Sequence, residues 1–187
     1  MEPIILPIFI VVVVVLIIII IIYTVNRNQT TEHQETSVSS SVVVDNSVEM
    51  EAEVLSLVND IRSKGATCGG VYKSPVPELE WNEQLARAAE DHSRDMADKN
   101  YFSHTSLNGR TFVTRITNAG YTGYTTLGEN IAAGYSTAND VVNGWMNSPG
   151  HCNNIMNPSF KDLGVGYAYN SGSRYRNYWT QDFGRKR

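Results

Sequence analysis

The stretch "GENIAAGYSTANDVVNGWMNSPGHCNNIM", residues 128–156, carries an acid near its start, Glu129, and a histidine near its end, His151, directly beside Cys152. A third ionisable residue of interest, His104, lies upstream in "YFSH". Two imidazoles and a carboxylate are the raw material of acid–base catalysis or of a zinc site with one open position. Such a site would lower the pKa of a bound water to ~7 and turn it into a nucleophile. The three residues follow no local metal-ligand spacing, so the sequence pattern alone does not bring them together. The plain alternative is a polar cluster in which Glu129 holds one or both histidines by hydrogen bonds. A Ser148–His151–Glu129 nucleophile triad is disfavoured. Ser148 sits in "MNSPG" rather than in the G-x-S-x-G elbow, and a serine near a helix end more often bonds backbone groups.

Other residues invite chemistry less. His92 falls on the inner stripe of its helix, where a histidine is usually a hydrogen-bonded core residue. His33 lies in a polar linker and reads as solvated. Tyr101 and Phe102 are expected to pack the loop before His104. Asn130 is expected to bond backbone, and Arg115 to make at most a surface ion pair of little energetic weight. The aromatic residues late in the chain are expected to pack the core and a hairpin.

These residues need a scaffold, and hydrophobic periodicity supplies one from Glu49 onward. Val54, Leu57, Val58 and Ile61 share a helical face that Gly65 is placed to end. Asn82 can cap a second helix with the stripe Leu85, Ala89, His92 and Met96. Phe112, Ile116 and Ala119 suggest a third, stopped at Gly120. Thr137 can cap a fourth, containing Val141, Val142 and Trp145 and broken by Pro149 and Gly150. The run after Glu129 looks helix-like. Beyond it, "LGVGYAY" and "NYWTQDFG", separated by "NSGSRYR", read as a β-hairpin. The fold class is α+β, in a domain over residues 49–187 large enough to bury its own core.

The N-terminus is of another kind. Residues 1–3 form a short tail. Residues 4–23 are about 20 apolar residues, which at ~1.5 Å per residue span a ~30 Å hydrocarbon core as a helix. Glu2 precedes the run and no early Lys or Arg does, which favours an uncleaved anchor over a signal peptide. Residues 24–48 are polar and Ser/Thr-rich, a flexible linker with a reach of roughly 25–30 Å, with "SVVVDNSV" a candidate short strand. Asn28-Gln29-Thr30 matches a glycosylation sequon. Of 187 residues, 19 are acidic and 15 basic, a net charge of −4 that argues against a nucleic-acid partner. Arg185, Lys186 and Arg187 read as a solvated basic tail. The cysteines, Cys68 and Cys152, are either a disulfide or two separate buried thiols. An anchored, exported domain favours the first. Arg27 on the domain side of the anchor favours a cytosolic domain by the positive-inside rule. The prospective disulfide favours the outer or lumenal face, which is the reading adopted.

The blocks "LARAAEDHSRDMADKNYFSHTSLNGRT", "GENIAAGY", "GWMNSPGHCNNIMNPSF" and "LGVGYAY…YWTQDFG", in this order, resemble the CAP superfamily of cysteine-rich secretory, antigen 5 and pathogenesis-related proteins, and its bacterial-type branch in particular. The resemblance covers roughly residues 50–185. It implies an α-β-α sandwich, with a small antiparallel sheet between helical layers, and supports pairing Cys68 with Cys152. It also implies a surface cleft holding His104, Glu129 and His151, in which some members of the animal branch bind a divalent metal such as zinc. Where that branch has a second glutamate, this chain has Ser148, which removes one charge and one strong oxygen ligand. The roles credited to the family are varied and include lipid or sterol binding, signalling and proteolysis. Three functions remain: a membrane-tethered module binding a lipid, glycan or protein, a metal-dependent hydrolase or peptidase using the same cleft, and an adhesive or structural surface module.

Overall fold

The computed structural model describes residues 18–24, 27 and 46–187. The chain divides into two compact units, residues 1–46 and 47–187. In the first, residues 18–24 are helical. Most of the expected anchor, residues 4–17, lies outside the described residues, as do the sequon and His33. Among the described residues, no helix is long and apolar enough to cross a membrane. Of the candidate strand over 41–48, residues 46–48 are instead the start of a helix, and the rest lies outside the described residues.

Helix α1 runs over residues 46–64, all but its first residue in the second unit. A short antiparallel hairpin follows, β1 (Ala66–Cys68) and β2 (Val71–Lys73), then the two-residue strand β3 (Glu80–Trp81). Helix α2 spans Glu83–Lys99 and α3 Phe112–Asn118. Strand β4 (Tyr124–Ala133) leads to α4 (Ala138–Met146) and α5 (Pro149–Ile155), and the chain closes with the hairpin β5 (Asp162–Tyr169) and β6 (Asn177–Lys186). The caps act as expected. The Asn82 side chain accepts from the amides of Gln84 and Leu85 at 3.0 and 3.2 Å, and the Thr137 hydroxyl accepts from that of Asp140 at 3.1 Å.

The main sheet has the order β3-β5-β6-β4. It is not wholly antiparallel: β3 runs parallel to β5, while β5–β6 and β4–β6 are antiparallel. Strand alternation sorts its side chains between two helical layers. On one face, Leu163, Val165, Trp179, Phe183 and Ala132 pack with Val54 and Val58 of α1, Trp145 of α4 and Ile155 of α5. On the other, Tyr178 and Ile131 pack with Met96 and Ala97 of α2, and Leu127 meets the cluster of Leu85 and Ile116. Gly164 and Gly166 let α2 lie directly on the sheet. A Cβ on Gly164 would stand 2.0 Å from the Ala86 amide nitrogen, and one on Gly166 2.1 Å from that of Glu90. The result is an α-β-α arrangement with β4 at one edge of the sheet.

Two expectations about the 128–156 stretch are corrected. The run after Glu129 is strand, because Glu129 and its successors to Ala133 pair residue for residue with Asp182–Tyr178 of β6. The Ser-Pro-Gly segment does not merely end a helix: α4 stops at Met146, and Pro149 stands at the start of α5, where its missing N–H costs nothing.

Candidate functional site: a cleft at the β4 edge

Glu129 and Asn130 are neighbours in β4, both buried, and they point to opposite faces of the sheet. Each organises one half of the site. On the α2–α3 side, Glu129 Oε1 accepts from Nδ1–H of His104 at 2.7 Å, and Oε2 accepts from Arg115 at 2.5 Å. The Glu129 side chain is 1 % exposed and the Arg115 side chain 4 %, whereas that of His104 is 52 % exposed. With Nδ1 held by Glu129, Nε2 is the ring nitrogen left for another partner.

Arg115 is the residue that the sequence undervalued. Far from being a surface ion, it also donates to the His104 carbonyl (3.0 Å), the Arg110 carbonyl (3.1 Å) and the Ser106 hydroxyl (3.2 Å). One guanidinium thereby fixes both Glu129 and the loop that carries His104. The same loop is tied from α2. His92, fully buried, donates from Nε2 to the Ser103 carbonyl at 2.9 Å, as a core histidine is expected to do. Tyr101 donates to Asp95 at 2.5 Å, and Phe102 stands exposed against Tyr175.

Burial, helped by the charge of Arg115, pushes His92 down to about 4. The folded state therefore excludes a proton that the unfolded chain takes up below its ordinary value near 6.5. Stability present above that value is lost as the pH falls towards 4. The loss should approach roughly 3 kcal/mol. His92→Gln, which can still donate to Ser103, should flatten this acid limb of the unfolding profile measured by urea titration at several pH values. An unchanged limb would place the titration elsewhere.

Asp182 completes this half from below. It lies directly across from Glu129 on β6, is fully buried, and among the described residues neither of its oxygens has a hydrogen-bond partner within standard geometry. Burial, then the charge of Glu129, raises it well above the ordinary carboxylate value, against the opposing pull of Arg115. A raised carboxyl contributes stability that is complete below its unfolded value near 3.9 and drains away as the pH climbs towards the folded value. Asp182→Asn, isosteric with the protonated acid, should gain on the wild type as pH rises from ~4, by up to about 1.4 kcal/mol per pH unit. A variant that instead loses stability at neutral pH in denaturant titrations would show that Asp182 is an ionised partner of Arg115.

On the other face, Asn130 donates to the His151 carbonyl (3.2 Å) and to the Gln181 side chain (3.1 Å), and accepts from Asn154 at 2.9 Å. It thus both braces the cleft and bonds backbone. Asn154 also reaches the Glu129 carbonyl at 3.3 Å. Helix α5 is held at two further points. Cys152 is bonded to Cys68 of β1, with Cα atoms 5.5 Å apart. Buried Arg62 of α1 donates to the carbonyls of Ile155 (2.5 Å) and Asn157 (3.1 Å) at the helix C-terminus, where a cation is favoured. His151 is half-buried; burial, and then the proximity of His104, lowers its pKa. His104 thus stands on Glu129, and His151, in α5, is near enough to it for the charge of one to bear on the other.

As arranged, this donor set does not suit a metal. Both oxygens of Glu129 are engaged, one by a cation, and among the described residues no group of three or more His, Cys, Asp or Glu side chains is placed to hold an ion. Ser148 caps no amide with its hydroxyl, and among the described residues no hydrogen bond links it with His151 and Glu129.

Fold and site together define a class: a three-layer α-β-α domain whose edge strand carries a buried Glu–Arg ion pair bonded to an exposed histidine. Residues 55–183 match the CAP cysteine-rich secretory protein family, and the chain belongs to it. It is 38 % identical over 160 residues to the Bacillus subtilis (strain 168) protein YkwD, covering 86 % of this chain and 53 % of that one. It is 35 % identical over 133 residues to the membrane protein YlbC of the same organism, covering 71 % of this chain and 34 % of that one. The chain thus spans about half and a third of these relatives. Among solved structures, an extracellular SCP-domain protein from Bacillus anthracis is similar at 36 % identity and a TM-score of 0.63, over 75 % of this chain and 41 % of that one.

Proposed function

We infer that the protein is a membrane-tethered binding domain, carried outside the cytoplasm, whose ligand docks on the two imidazoles at the β4 edge. The observation that carries this reading is that Glu129, the carboxylate a hydrolase would use as base, is buried and spends both oxygens on His104 and Arg115. What remains for a partner is His104 Nε2 and the His151 ring, groups suited to hydrogen-bonding a polar group of a lipid, glycan or peptide. The Cys68–Cys152 bond supports an oxidising compartment. So do the likeness to an extracellular SCP-domain protein and, for the tether, to a membrane protein.

A metal-dependent hydrolase is the second reading, favoured by the approach of His104 to a His151 whose pKa is lowered, so that its ring stays neutral. It would require Glu129 to release one of its partners. Calorimetric titration of the full chain in nonionic detergent with zinc and with calcium separates the two. The binding reading expects no heat and no shift in Tm. Zinc uptake at neutral pH that disappears in both His104→Ala and His151→Ala would replace it with the hydrolase.

A further inference from the structure

The basic run Arg185-Lys186-Arg187 is not a loose tail. Arg185 and Lys186 belong to β6 and are in register with Thr126 and Tyr124 of β4, and the Arg187 amide donates to the Gly123 carbonyl at 3.1 Å. All three basic residues line a concavity of about 460 Å³. The hydroxyl residues Thr125, Thr126 and Ser159 and the amide residue Asn157 line it with them. No aspartate or glutamate lines it, although the chain as a whole carries a net charge of −4. Lys186 is steadied by Gln84 at 3.0 Å and lies over the Tyr121 ring. Among the described residues, neither Arg185 nor Arg187 forms an ion pair. The carboxylate of Asp162, in the next strand, accepts from the Tyr121 hydroxyl at 2.5 Å.

We propose that this concavity binds a phosphate group, as a free phosphate or as a phosphate ester. Two guanidinium forks, with hydroxyl and amide groups beside them, offer more donors than a two-oxygen carboxylate accepts and suit a tetrahedral oxyanion, while the Lys186 ammonium, held by Gln84, adds positive charge nearby. The site is independent of the histidine cleft and does not rest on the function assigned to it. Thr126 precedes Glu129 by three residues on β4, so at ~3.3 Å per residue the two sites lie roughly 10 Å apart along one strand.

Amide chemical shifts of the full chain in nonionic detergent test this, with two probes: inorganic phosphate, and micelles doped with phosphatidylglycerol. Perturbation of Thr125, Thr126, Ser159 and Arg185 by both probes assigns the site to phosphate groups generally. Perturbation by the doped micelles alone assigns it to a lipid headgroup, and by inorganic phosphate alone to soluble phosphates. In each supporting case, Arg185→Gln with Arg187→Gln weakens binding at least tenfold while leaving the unfolding midpoint unchanged, and added salt weakens it further. No perturbation by either probe, perturbation reproduced by chloride at equal ionic strength, or binding retained in the double variant overturns the proposal.

Discussion

Arg115→Ala is expected to destabilise the domain by about 3–5 kcal/mol, the cost of removing one partner from a buried ion pair. The reason is specific. The substitution strands the Glu129 carboxylate, 1 % exposed, directly across from Asp182, with only the titratable His104 ring left against it among the described residues. It also releases the carbonyls of His104 and Arg110, so the loop carrying His104 should lose amide-exchange protection selectively. Urea unfolding of the variant measures the first effect and hydrogen exchange the second. Adding Glu129→Gln to Arg115→Ala should recover part of the stability, because the uncompensated charge goes. A loss below about 1 kcal/mol would mean that the pair behaves as a surface salt bridge and does not organise the cleft.

The second large effect concerns Cys68 and Cys152. They are 84 residues apart, and closing a loop of that length restricts the unfolded chain by about 4–5 kcal/mol in the chain-entropy account, an upper value. Cys68→Ser with Cys152→Ser should therefore lower stability by about 2–5 kcal/mol. It should also loosen the first turn of α5, where His151 adjoins Cys152, more than β4, which is held by β6. Unfolding midpoints with and without reductant, alongside thiol titration, report this. Two free thiols in native material, or a midpoint indifferent to complete reduction, would contradict it.

The helices were legible because their signals are local. Asn82 and Thr137 cap where their side chains predict, and Val54, Val58, Leu85 and Met96 are buried at helical spacing. The hairpin of β5 and β6 was legible from its aromatic and β-branched runs. Strand β4 was not, because its pattern is broken where the site is built. Glu129 and Asn130 are both buried, one on each face, so no apolar–polar alternation survives at its centre. Arg115 follows the same logic. It flanks the apolar stripe of a seven-residue helix and reads as solvent-facing, until Glu129 is known to be buried and to need a cation. Asp182 hides in the hairpin's second strand, where only the pairing register sets it against Glu129. The resemblance brought His104, Glu129 and His151 together, but it carried no signal for the Arg115 and Asp182 beneath them. The basic run at 185–187 read as a tail because a charge cluster in sequence reveals nothing of the strand that fixes it.

The most direct test of a shared cleft is the NMR titration of the His151 ring in the wild type and in His104→Gln. If the two imidazoles face one another across the β4 edge, removing the charge of His104 relieves part of what holds His151 down. Its midpoint should then move upward, while Trp145 and Trp179 resonances report an unchanged core. A His151 midpoint identical in the two proteins, with the fold intact, would mean that the histidines occupy separate surfaces, and the account of the site would fail.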